Sequence, residues 1–211
     1  MRNLTGTLRR PMDAVLAAPS HLALLRVLSE SSHGASGREL ARLAGLSHQA
    51  SSNALARLEA MGMVRRVGRG RTFLYTLNTD HALFTRLLQP LLEGERRVFR
   101  EILKSVEKTV TPHCDSATIF GSVARGSEGP ASDFDLLVVL RENQRRDRIS
   151  RVLSDLASTL SRTWGIRLNP IIFTVTQVRR HLKQGNPLFI AAVRDGIPLA
   201  GRPLHEVGRG T

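Results

Sequence analysis

Asp133 and Asp135 flank Phe134 at the head of the apolar run Leu136-Leu137-Val138-Val139. Extended backbone sends alternate side chains to one face, so a strand here puts both carboxylates on the same side. Two anions so placed repel each other unless a cation sits between them. A site of hard oxygens of this type suits Mg2+. Upstream lies the small-residue stretch Gly121-Ser122-Val123-Ala124-Arg125-Gly126. A Gly-Ser turn beside a metal site can offer backbone N–H groups and a hydroxyl to a polyphosphate.

The elements that must position these residues are legible around them. Residues 115–120 are expected as a strand leading into the turn, and 134–140 as the strand that carries the acids. Ile149, Val152, Leu153, Leu156 and Leu160 form one stripe of a helix over residues 148–164, which Gly165 stops. Residues 166–174 read as a further strand, 178–184 and 187–195 as helical, and 197–201 as a short terminal strand. Residues 202–211, with Gly and Arg, read as frayed. The single cysteine, Cys114, has no partner for a disulfide or a zinc site and reads as a small, partly buried strand residue.

In this order, Gly121-Ser122, Ala124-Arg125-Gly126 and Ser132-Asp133-Phe134-Asp135-Leu136 resemble the nucleotidyltransferase signature of the polymerase β-like superfamily in its minimal form. The resemblance implies a small α/β domain over roughly the C-terminal half. It implies that Gly121 and Ser122 hold the triphosphate of a nucleoside triphosphate, and that Asp133 and Asp135 are the catalytic carboxylates and ligands of Mg2+. Nucleoside monophosphate would then pass to an acceptor with loss of pyrophosphate. Arg125 either contacts phosphate or braces the loop, and Ser132 reads as a turn residue. The family adds a third acid from a later strand. The strand expected at 166–174 has no Asp or Glu, and Asn169 stands near the acid's place. An amide can coordinate through its oxygen but carries no charge and cannot act as a general base. A second metal would be held weakly.

The N-terminal part has a different grammar. Leu22, Leu25, Val27 and Leu28 mark a helix over residues 20–30. Ser36 with Glu39 three residues on is a capping-box pattern for a short helix over 38–44, and Gly45 ends it. Ser47 caps a third helix over 48–61, and Gly62 closes it. Residues 63–67 and 72–77 read as two strands joined by the tight turn Gly68-Arg69-Gly70-Arg71, a β-hairpin. The corner Leu40-Ala41-x-x-Ala44-Gly45-Leu46-Ser47 and the exit Leu55-x-x-Leu58-x-x-Met61-Gly62-Met63-Val64 resemble a winged helix-turn-helix domain. That resemblance implies binding to double-stranded DNA. Ser47, His48, Gln49, Ser51, Ser52, Asn53 and Arg57 on the third helix would meet bases and phosphates, with Arg69 and Arg71 at the wing tip. Arg65 and Arg66 are adjacent on a strand, so at most one of them can face DNA. Winged helices also serve as protein-interaction and dimerisation modules. The polar helix start and the arginine wing tip together favour DNA.

Bulk composition agrees. The chain has 211 residues, 41% of them hydrophobic and 4% aromatic, and a net charge of +13. Nearly all the cations are arginine. Residues 1–80 hold eleven arginines against five acids, a balance that attracts polyanions, although a GC-rich genome alone gives the same bias. No apolar run is long enough to span a bilayer, and no signal-peptide core follows the N-terminus, so a cytoplasmic protein is expected. Residues 81–110 read as mostly helical, with Pro90 kinking or splitting the segment.

The expected fold class is therefore α+β: a winged helix-turn-helix over residues 1–80, a helical connector over 81–110, and a nucleotidyltransferase-like mixed α/β domain over 111–211. The function expected is that of a DNA-binding transcriptional regulator, acting as a homodimer, whose second domain binds Mg2+ and a nucleotide. The alternative is an active nucleotidyltransferase acting on a protein or small-molecule acceptor, as antitoxin-like or antibiotic-modifying relatives of the family would.

Overall fold

The computed structural model describes residues 10–69, 72–129, 131–141 and 144–209. The chain divides into two compact units, Met1–Arg97 and Val98–Thr211.

The first unit begins with α1 (Pro11–Leu16), α2 (Pro19–Glu30), α3 (Gly37–Leu43) and α4 (His48–Ala60). The two caps form as the sequence suggests. Ser36 Oγ accepts from the backbone N–H of Glu39 at 3.3 Å, and Ser47 Oγ from that of Ala50 at 3.2 Å. Each satisfies a donor that the first helical turn leaves without a partner. The hairpin follows as β1 (Val64–Arg69) and β2 (Thr72–Leu77), antiparallel, with Arg69 opposite Thr72. A backbone bridge from Ala35 to Tyr75 extends this small sheet. Gly34 leads into the bridge at φ 74°, where a Cβ would come within 2.5 Å of the Tyr75 carbonyl. Leu24, Leu25, Leu28, Leu40, Leu55, Leu58 and Met63 form the core. The first helix, α1, has no counterpart in the expected elements; its one buried side chain, Val15, gives no periodicity to read.

A single π-helical turn, Phe84–Leu88, precedes α5 (Gln89–Val110). Pro90 is the second residue of α5, so the irregularity lies just ahead of it. There the Gln89 N–H reaches back five residues to the Phe84 carbonyl. Proline supplies no N–H, and a widened turn is one way for a helix to pass such a gap. Leu88 and Leu92 belong to the core of the first unit, and Ile102, Val106 and Val110 to that of the second.

The second unit runs β3 (Cys114–Phe120), α6 (Gly121–Arg125), β4 (Phe134–Leu140), α7 (Arg146–Trp164), β5 (Leu168–Phe173), α8 (Val175–Lys183), α9 (Pro187–Asp195), β6 (Ile197–Gly201) and α10 (Leu204–Arg209). The sheet order is β5-β4-β3-β6. β3 is antiparallel to both neighbours, and β4 is parallel to β5. Alternation on β4 divides two apolar clusters. Phe134, Leu136, Val138 and Leu140 join Ile149, Leu153, Leu156 and Leu160 of α7, while Leu137 and Val139 join Val178 of α8 and Phe189 of α9. Cys114 is fully buried, and burial pushes its thiol up to about 11, so it stays protonated and inert. The expectation of a frayed end is corrected. Residues 204–209 form α10, and Leu204 and Val207 are buried against the α8 and α9 cluster. Two apolar side chains three residues apart seat this helix, too few to show as a pattern in sequence. The chain is α+β, as expected, and no helix among the described residues is long and apolar enough to cross a membrane.

Candidate functional site

The acids sit where β3 ends and β4 begins. Phe120 is paired with Asp135, and the chain then turns at Gly121 with φ 77°. A Cβ built on Gly121 would overlap Oδ2 of Asp135. Glycine is thus required twice, by the backbone conformation and by the carboxylate packed over it. On the other side of β4, the parallel register sets Asp135 beside Asn169. The Asn169 side-chain amide donates to Asp135 Oδ1 at 2.8 Å. So the residue at the expected place of the third acid does touch the second aspartate.

Asp133 lies just before β4 and is about half exposed. Its Oδ1 is 3.0 Å from Nε of Arg167. Arg167 also donates from its terminal nitrogen to the Ala131 carbonyl, and its own carbonyl accepts from the Phe134 N–H at 2.8 Å. The loop before the acids is braced a second time, since Gly129 N–H donates to Ser132 Oγ and Ser132 N–H to the Gly129 carbonyl, each at 2.9 Å. Ser132 is thus a turn residue. Arg167 was not among the expected site residues. Alternation with Asn169 hints at a shared face, but its partner is set by the register between parallel strands, which the local sequence does not carry.

Ser122 is half-buried within the short α6, and its carbonyl accepts from the Ser127 N–H at 3.0 Å. Arg125 is exposed at the end of α6. The Asp195 carboxyl is held below the usual carboxylate range, first by the hydrogen bond from Arg194 and further by the charge of Arg125. Among the described residues, no three or more His, Cys, Asp or Glu side chains are grouped to hold a metal ion.

In the first unit, α4 shows two faces. Ser51, Ala54, Leu55 and Leu58 are buried, while Ser47, His48, Gln49, Ser52, Asn53 and Arg57 are exposed. The expectation that Ser51 meets DNA is corrected. Position 51 is in phase with 54, 55 and 58, so the helix turns it into the core, where its hydroxyl has no partner among the described residues. Gln49 donates to Asn53 at 3.0 Å along the outer face. Arg65 pairs with Asp80 at 2.9 Å. Arg66 stacks 4.5 Å over Phe73 with Glu59 3.6 Å away, so Arg65 and Arg66 each have partners within their own unit. Arg71 and the side chain of Arg69 lie outside the described residues. Arg38 and Arg42 on α3 are further exposed cations, which no motif in the sequence marks.

Residues 18–71 match the MarR family, and residues 98–187 match the nucleotidyltransferase domain. No curated protein matches the chain. A solved structure described as the crystal structure of a toxin-antitoxin with AMP-PNP is similar at 18% identity with a TM-score of 0.34, over 50% of this chain and 80% of that one. A likeness that slight carries neither fold nor function. With the two family matches on the two units, the chain is a MarR-family winged helix-turn-helix domain joined to a nucleotidyltransferase domain.

Proposed function

We propose that this protein is a DNA-binding transcriptional regulator whose second unit binds a magnesium–nucleoside triphosphate complex and holds it without transfer. The observation that carries this reading is Asn169 beside Asp135. Nucleotidyltransferase domains generally use divalent ions. Two carboxylates and an amide oxygen are hard donors of the kind Mg2+ takes. The two negative charges neutralise one dication, so the donor set fits a single ion. When bound, that ion supplies charge neutralisation to the phosphate oxygens.

The chain's own residues do the rest. Gly121, lacking a Cβ, leaves Asp135 free to face the turn. Ser122 and the N–H groups of the turn are the phosphate donors. Asn169 orients Asp135 but, being an amide, takes no proton from an attacking hydroxyl. In the first unit the exposed side chains of α4, with Arg69 and Arg71, meet the DNA, and the protein binds two-fold operators as a homodimer.

The tight fit of Gly121 against Asp135 favours one second reading, an active transferase for a protein or small-molecule acceptor. Incubation with each α-labelled nucleoside triphosphate and Mg2+ separates the two. Saturable binding with no label transferred and no pyrophosphate released supports the regulator; label on the protein or on an added acceptor refutes it.

A further inference from the structure

We propose that Arg167 is an internal competitor for the cation, so that metal and nucleotide enter this site together rather than one after the other. The inference rests on the reading of Asp133 and Asp135 as the metal ligands. In the structure one oxygen of Asp133 is already matched by the guanidinium of Arg167, which bears the positive charge a bare metal ion would bring. A dication arriving alone must displace that group or sit a few ångströms from it, and like charges at that distance repel appreciably even in water.

The pair is exposed, at 64% for Arg167 and 47% for Asp133, so it opens easily and is no permanent block. What it needs is another anion. A triphosphate supplies one, and a guanidinium suits phosphate oxygens at least as well as a carboxylate. Nucleotide would therefore draw Arg167 from Asp133 at the moment the metal requires that oxygen. By linkage, each ligand then raises the affinity of the other by the same factor. The second hold on Arg167, the Ala131 carbonyl, keeps the side chain at the rim while it changes partners. A plain clamp on the loop predicts a different pattern, because its loss would weaken metal and metal–nucleotide binding alike.

The test is calorimetric titration of the full chain with Mn2+ alone, and with Mn2+ plus a non-hydrolysable nucleoside triphosphate analogue, for the native protein, Arg167→Ala and Arg167→Lys. Expected is an opposite-signed pair of effects in Arg167→Ala. Mn2+ alone binds roughly tenfold tighter and the metal–nucleotide complex roughly tenfold weaker, while Arg167→Lys stays near the native protein in the first titration. Equal Mn2+ affinity in native protein and Arg167→Ala, or weakening of both titrations together, overturns the competition but leaves the metal–nucleotide site standing. Absence of any Mn2+ uptake by all three proteins, with or without nucleotide, overturns the site itself.

Discussion

On α4 the side chains proposed to meet DNA are held by what lies beneath them; at β4 those proposed to meet the cation are held by what lies beside them. Leu55 and Leu58 anchor α4 from the core, and His48, Ser52 and Arg57 stand exposed on its outer face. Asp133 and Asp135 instead have polar neighbours, Arg167 and Asn169, that must share or yield them to a ligand. Specificity can therefore be adjusted differently in the two regions. On the helix, outer residues can change without disturbing the fold. At the strand, a change in either neighbour alters how the acids receive a ligand.

Removing the support under α4 should have the largest effect. Leu58 is fully buried, so Leu58→Ala is expected to cost about 2–5 kcal/mol in urea unfolding of the full chain. A loss well under 1 kcal/mol would mean that α4 is not anchored as described. The matching change at the other site is Gly121→Ala. A left-handed alanine costs about 1–2 kcal/mol, and its Cβ displaces Asp135, so nucleotide affinity should fall along with stability. Unchanged nucleotide affinity in a folded variant would remove Asp135 from the binding geometry.

Arg69→Ala with Arg71→Ala should leave stability alone and weaken DNA binding. The slope of log K against log salt should drop by about 2, one for each phosphate that an arginine no longer neutralises. An unchanged slope would take the wing off the DNA. The smallest expected effect concerns the first unit alone. Arg26 donates to both oxygens of Glu95, at 2.9 and 2.5 Å, and that hydrogen bonding holds the Glu95 carboxyl below its ordinary value near 4.5. A depressed folded value means the contribution is complete above the ordinary value and is lost as pH falls through the folded one. The pair is nearly half exposed, so under about 1 kcal/mol is at stake. Acid titration of stability in Glu95→Gln should lack this increment; an identical acid limb in both proteins would show the pair contributes nothing.

Much of this was legible in sequence where local signals were strong. The bounds of β4, α9 and β6 coincide with expectation because an apolar run, a proline at the helix start and a glycine at the strand end punctuate them. Ser36 and Ser47 act as the caps they resemble. Ser51 misled because residue type argued for exposure while helical phase, fixed by Ala54, Leu55 and Leu58, decided for burial. α10 and Arg167 were invisible for a shared reason. Their partners, the α8–α9 cluster and the loop before β4, are brought to them only by tertiary pairing. Asn169 is legible in sequence because its strand lacks the acid that the resemblance implies.

Calorimetry is the sharpest check on whether the two aspartates hold a metal–nucleotide complex. Titrating magnesium and a non-hydrolysable triphosphate into the native protein should give a saturable, stoichiometric isotherm, and Asp133→Ala with Asp135→Ala should give none. An equal affinity in the double variant would leave the chemistry without its ligands.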